Sequence, residues 1–359
     1  MNYLRINLGI ILLVCLLLAG IATASQFAYI TDLSSNTVSV IDTATNTVTA
    51  TVPVGSEPVG VAVNPAGTKV YVTNSVSSTV SVIDTATNTV TATVPVGAGP
   101  LGVAVNPAGT KVYVAIHAGG NTVSVIDTAT NTVIATVLVG YEPVGVAVNP
   151  AGTKVYVTNN IDNTVSVIDT ATNTVNATVP VGYYSVGVAV NPAGTKVYVV
   201  NGGSFSNTIS VIDTSSNTVT ATVPVGTNPC GVAVNPAGTE VYVANGKDNT
   251  VSVIDTATNT VTATVPVGDN PQGVAVNPAG TKVYVANQLD NTVSVIDTAT
   301  NTVTATVPVG DNPVAFGQFI GPVIAGGRPV PEFPSAILTV TMIIGFLSAV
   351  LLIKRTREH

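Results

Sequence analysis

The string VAVNPAGTKVYVTN, which begins at Val61, returns with few changes at Val103, Val146, Val188, Val232 and Val274. Beside it the segment VIDT recurs at Val40, Val82, Val125, Val167, Val211, Val253 and Val295, in steps of 42 to 44 residues. A period of this length with four short β segments per unit is the signature of a propeller blade, which cannot bury its faces alone and must stack on neighbours. Val and Thr dominate the repeats, and both are stiff at χ1 and suited to a pleated surface. The chain is therefore all-β, and its length of 359 residues is used on one ring rather than on two ordinary domains.

In the second unit the four segments, A to D from the inside outward, are residues 59–63, 69–73, 79–84 and 89–96. NPAGT between A and B and DTATN between C and D are turn sequences, so each unit reads as a four-stranded antiparallel meander. Small Gly60 and Ala62 suit a crowded inner strand, and the longer TVTATVPV suits the rim. The repeats begin at Phe27 with a B segment, so the first unit lacks its A strand; residues 314–319, after the seventh D segment, supply it. The expectation is a seven-bladed propeller over residues 25–320, closed by the C-terminal strand completing the first blade, which removes an exposed edge.

KVYVTN resembles the YVTN family of β-propeller repeats across nearly all of residues 26–320. The resemblance implies a propeller on a surface or exported protein and no single activity. Its motif tyrosines, Tyr29, Tyr71, Tyr113, Tyr156, Tyr198, Tyr242 and Tyr284, recur once per unit and read as packing between blades.

The two ends of the chain carry addresses rather than fold. Residues 1–24 have Arg5, an apolar run and small Ala22 and Ala24, the layout of a secretory signal peptide. A lipobox reading around Cys15 fits less well, because that Cys lies inside the apolar run. Residues 336–353 form a second apolar run, long enough for a transmembrane helix, followed by a basic tail at 354–359 that orients that end to the cytoplasm. Residues 321–335 form a linker containing Pro331, Glu332, Phe333 and Pro334. This motif, the apolar run and the basic cluster together resemble the PEF-CTERM sorting signal of archaeal surface proteins. That resemblance implies processing by an archaeosortase-type enzyme, with the membrane held through the helix or through a lipid that replaces it. Either way the propeller is expected outside the cell, at its surface.

Composition then narrows the chemistry. Residues 25–320 hold sixteen acidic residues against six lysines, which argues against a nucleic-acid partner. They contain one histidine, His117, no Arg and no Trp, so no catalytic constellation, metal site or cofactor is assigned. The seven aspartates of VIDT, Asp42 to Asp297, each end a C strand at the same turn and read as Asx-turn caps rather than a cation ring. The DN pairs at Asp162, Asp248 and Asp290 read as loop signals before Ca²⁺ ligands. Cys230, alone in the ring, reads as buried packing. Asn176-Ala177-Thr178 is a glycosylation sequon on an outer strand, and Asn176 is equally a replacement for the Thr of other units.

Alternating strand direction places A–B and C–D turns on one face and D–A and B–C loops on the other. The first face repeats NPAGT and DTATN; the second carries nearly all the variation. On it fall His117, Tyr141, Tyr183, Tyr184 and Phe205, in blades 3 to 5, a make-up suited to recognition. The sequence points to a non-enzymatic surface propeller that binds a protein or glycan. Its alternatives are a structural envelope component without a specific ligand and an exported propeller enzyme such as a lactonase or lyase.

Overall fold

The Val- and Thr-rich segments form short strands, and the computed structural model shows seven antiparallel sheets in a ring, stacked so that neighbouring blades cover the middle strands. It describes residues 26–202 and 206–322, all within the unit Ser25–Val323. The signal peptide, the PEF motif, the transmembrane run and the basic tail lie outside the described residues. Among the described residues no helix is long and apolar enough to cross a membrane.

Blades 2 to 7 are four-stranded. Blade 2 runs A (Pro58–Val63), B (Lys69–Asn74), C (Thr79–Asp84) and D (Thr89–Pro95), and the five that follow repeat this order. Strands B and C are buried nearly throughout, whereas D alternates exposed and half-buried residues, with one buried Val near its end. The motif tyrosines are fully buried, and each packs into the next blade: Tyr71 joins Val103, Val112 and Val114, and Tyr284 joins Ile30 and Ile41 of blade 1.

The other letters of YVTN have equally physical roles. The Thr73 hydroxyl accepts from Gly60 N (2.8 Å) and donates to Leu101 O of blade 3 (2.6 Å), so one side chain spans two blades. Thr158 repeats this with Gly145 and Val186. Asn74 donates through Nδ2 to Thr79 (3.0 Å) and Ser81 (2.9 Å), tying strand B to strand C. On the monotonous face Lys111, Lys154, Lys196 and Lys282 each reach a Thr carbonyl in the next blade at 3.0–3.4 Å. The A–B turn is organised by its Asn rather than by Pro65: Asn64 Oδ1 accepts from Thr68 N and Lys69 N, while Gly67 takes φ 69°.

Blade 1 has regular strands B (Phe27–Asp32), C (Thr37–Asp42) and D (Thr47–Pro53). The C-terminal segment does fill its A position, but as irregular backbone rather than a strand. Val314 N donates to Thr31 O, Tyr29 N to Phe319 O and Gly321 N to Phe27 O, at 2.9–3.0 Å. Between these bonds the chain swings inward and pairs in parallel with strand A of blade 2, through Val61 N to Phe316 O and Val63 N to Gln318 O. The cause is length: residues 313–320 span the partners that 58–63 span in blade 2, so extra residues loop out, with Ala315 at φ 51° and Gly317 at φ 120°. Both ends of the ring leave beside the C–D turn of blade 1, where Gln26 bonds both Gly321 O and Thr43 N.

The seam also contains the ring's one buried carboxyl among the described residues. Five blades place Asn at the end of strand B; blade 1 places Asp32, fully buried, accepting through Oδ2 from Thr37 (3.0 Å) and Ser39 (2.8 Å) while Oδ1 has no partner. Burial pushes this carboxyl up to about 6 from 3.8, against the lowering effect of those hydrogen bonds.

Two outcomes follow from the seam. Deleting residues 314–319 bares the inner edge of strand B in blade 1, and the protein is expected to lose cooperative unfolding in calorimetry and to aggregate in light scattering. Because the folded Asp32 holds its proton more tightly than the unfolded one, its contribution to stability is expected to be full below about pH 4 and to be lost as pH rises through about 6. Asp32→Asn removes that slope and raises stability at pH 7, by up to ~3 kcal/mol, which denaturant melts across pH will read.

Candidate functional site

The variable face is built from paired loops. Each D–A loop lies against the B–C loop of the blade it enters, as in Ser75 N to Glu57 O, Asn160 N to Glu142 O and Gly246 N to Asn228 O at 2.9–3.0 Å. Left-handed residues shape both loops: Asn36, Asn163 and Asn249 in B–C loops, Glu57, Glu142, Asn228 and Asn270 in D–A loops. These are positions where Asn or Gly is favoured, since either tolerates positive φ.

At blade 4 this scaffold holds a cluster of exposed apolar side chains. Its B–C hairpin, residues 160–163, carries Ile161 at the tip, with Asp162 and Asn163 reaching sideways. Asp162 Oδ2 accepts from Tyr141 N (2.8 Å) on one flank, and Asn163 Oδ1 accepts from Tyr184 N (2.8 Å) on the other. Tyr141 is 61% exposed, Ile161 51%, Tyr183 63% and Tyr184 48%. Asn160 Nδ2 to Ser185 O (3.2 Å) and Ser185 Oγ to Asn159 O (3.0 Å) fasten the same hairpin to the next blade. The side chains are thus free while the backbone beneath them is pinned. Tyr184 also stands at φ 54°, a conformation a bulky side chain rarely adopts.

Among the residues singled out from sequence, Tyr141, Tyr183 and Tyr184 flank this one hairpin. His117 lies one blade away, its Nε2 at 3.9 Å from Glu142 Oε2. Phe205 lies outside the described residues. Ile161 completes the patch and was not identified from sequence; an apolar residue at a hairpin tip between polar neighbours was its signal. Val76 and Leu289 are exposed at the same loop in blades 2 and 7.

The remaining candidates have structural partners. Each VIDT aspartate accepts two backbone N–H groups of its own turn, as Asp84 does from Ala86 (2.9 Å) and Thr87 (3.1 Å). These hydrogen bonds hold the carboxyls of Asp127, Asp169, Asp255 and Asp297 below their usual range. Asp248 and Asp290 of the DN pairs accept from Thr227 N and Asp269 N at 2.7 Å. Burial pushes the Cys230 thiol up to about 11, so it is protonated and unreactive near neutrality. Asn176 is exposed on strand D of blade 4. It stands at a bulge where five other blades have a Thr that bonds back to a strand C carbonyl.

The central channel is a cavity of about 410 Å³, walled by the Gly-Val-Ala-Val runs of blades 2 to 7 and by Phe316, Gln318 and Ile320. Its wall carries no titratable side chain. Among the described residues no group of three or more His, Cys, Asp or Glu is placed to hold a metal ion.

The model of the YNCE-like beta-propeller family matches residues 224–316, which supports a YVTN-like propeller. No curated protein matches the chain. Among solved structures the chain is similar to Kuenenia stuttgartiensis hydrazine synthase, with a TM-score of 0.68, 26% identity, and coverage of 74% of this chain and 91% of that one. It is also similar to a functionally unknown protein from Desulfotomaculum acetoxidans DSM 771, with a TM-score of 0.68 and 19% identity over 81% of this chain and 99% of that one. The second likeness is one of fold.

The strain at Tyr184 gives this site a measurable signature. Tyr184→Asn, which installs the residue used at this position in blades 6 and 7, is expected to raise stability by about 1 kcal/mol, read as a melting temperature higher by about 2 °C.

Proposed function

We propose that the ring is a non-enzymatic binding module, exported and held at the cell surface, whose variable face docks a protein or glycan ligand over blades 3 to 5. The observation that carries this reading is the pinned hairpin of blade 4, with Tyr141 and Tyr184 anchored on its two sides by Asp162 and Asn163. Large rigid side chains on a pre-organised backbone lose little entropy on binding, which is the usual composition of a recognition surface. A residue held in a strained conformation at the same spot supports a use for the side chain that offsets the strain.

Topology supports the orientation. Both ends of the ring lie on the monotonous face, opposite the variable loops, an arrangement that suits attachment on one side and recognition on the other. A PEF-CTERM-like tail, read by an archaeosortase-type enzyme, fits this arrangement. Asn176, on the rim, suits a glycan without obstructing the patch. A lactonase or lyase is the less favoured reading, because the channel wall offers no acid or base. An envelope component without a ligand is the reading to which a negative result would lead.

Changing Tyr141, Tyr183 and Tyr184 together to Ser is expected to leave the thermal melt intact and to lower binding by tenfold or more, about 1.4 kcal/mol or above. Glycan and protein arrays probed with the wild-type and triple-variant chains read this directly. Equal signals from the two proteins would demote the patch and favour the structural role.

A further inference from the structure

The outer strands show a second departure from the repeat, remote from the tyrosine hairpin in chemistry. Six of the seven D strands end in Pro: Pro53, Pro95, Pro180, Pro224, Pro266 and Pro308. Strand D of blade 3 (Thr132–Leu138) ends instead in Leu138, and it carries Ile134 where five others have the back-bonding Thr. Leu138 is 73% exposed and Ile134 52%.

The position of the exchange decides its consequence. Val139 N donates inward to Asn121 O, so by strand alternation the N–H and C=O of Leu138 and of Thr136 point out, to the open edge of the sheet. In the other six blades Pro removes the outermost of these donors, a common means of blunting an edge against other strands. Blade 3 alone restores it and adds apolar side chains on the same strand.

We propose that this edge is a self-association site, at which strand D of blade 3 pairs antiparallel with the same strand of a second copy. The stretch is its own complement. A two-fold axis through Val137 sets Leu138 of one copy opposite Thr136 of the other, both with N–H and C=O facing the partner, and each such pair exchanges two hydrogen bonds. No residue of Thr132–Leu138 is charged, so two chains of net charge −7 meet here without like charges opposed. Leu138 and Ile134 supply the apolar area that makes the pairing favourable in water. An extended strand of a different protein lacks this built-in register.

Sedimentation velocity of the full-length chain over a concentration series tests the proposal, with Ile134→Thr/Leu138→Pro as the variant. That double change gives blade 3 the sequence TVTATVP already present in blades 1, 2, 5, 6 and 7, so the ring keeps its fold, which circular dichroism and a thermal melt will check. The expected result is a wild-type dimer and a variant whose dissociation constant rises about tenfold or more. A wild-type chain that stays monomeric at every concentration overturns the proposal, as does a dimer whose dissociation constant is the same in the variant.

Discussion

The ring is held to its dimensions by a contact between backbones. In each inner strand one Gly faces the carbonyl of the next inner strand so closely that a Cβ there would lie 2.1–2.5 Å from the oxygen: Gly60 against Leu101, Gly145 against Val186, Gly273 against Ala315. No side chain other than hydrogen fits at that distance, so Gly stands third in the inner strand of each of blades 2 to 7. The Thr of the YVTN motif then exploits the approach, since only at this spacing can one hydroxyl serve both its own Gly N–H and the neighbouring carbonyl. The tyrosine wedge further out completes the contact between blades. What remains at the centre is a narrow space lined by Val and Ala, which pushes the variable chemistry out to the loops.

Much of this was legible because repetition averages away local ambiguity. One apolar strand of six residues is hard to assign, but the same strand seven times at one spacing is not. The seven buried tyrosines and the seven Asx turns were readable for the same reason: Asp84 and its copies sit at an identical turn, and a repeated residue most simply has a repeated local partner. Thr73 and Asn74 were harder, since their partners lie in another blade or on another strand and spacing along the chain does not reveal them. The closing segment was placed correctly but given too regular a form, because residues 313–320 have no second copy against which their extra length could be noticed. Asp32 went unremarked for the opposite reason; it aligns with Asn in the motif, and only its complete burial shows what the missing amide nitrogen changes.

The two faces differ in freedom because they differ in what holds them. On the monotonous face side chains make the turn: Asn64 caps A–B, Asp84 caps C–D, and Lys111 reaches into the next blade. Exchange of any of these loses a bond. On the variable face the paired loops join through backbone hydrogen bonds and through Asn and Asp side chains that accept backbone N–H groups, and the residues between these anchors are free to change without loss of the ring. The same left-handed position accepts Glu57, Gly99, Glu142, Tyr184, Asn228, Asn270 and Asn312. That tolerance explains why these loops vary from blade to blade while the ring beneath them does not.

A bulky aromatic is the extreme of that tolerance. Of the seven residues at this left-handed position, Tyr184 has the largest side chain, and it stands next to a second exposed Tyr on a loop held by Asn163. The outer rim follows the same logic from the opposite direction, since there the repeat itself supplies the protection and blade 3 has discarded it by exchanging Pro for Leu138. Both departures are energetically adverse for an isolated ring, one through backbone strain and the other through a bare apolar edge. A ring built from near-copies offers a favourable residue for each position several times over, as Asn at the loop and Pro at the rim. Where the chain holds the adverse residue in one blade only, a contact beyond the isolated ring is the compensation that the proposed ligand face and the proposed strand pairing would each supply.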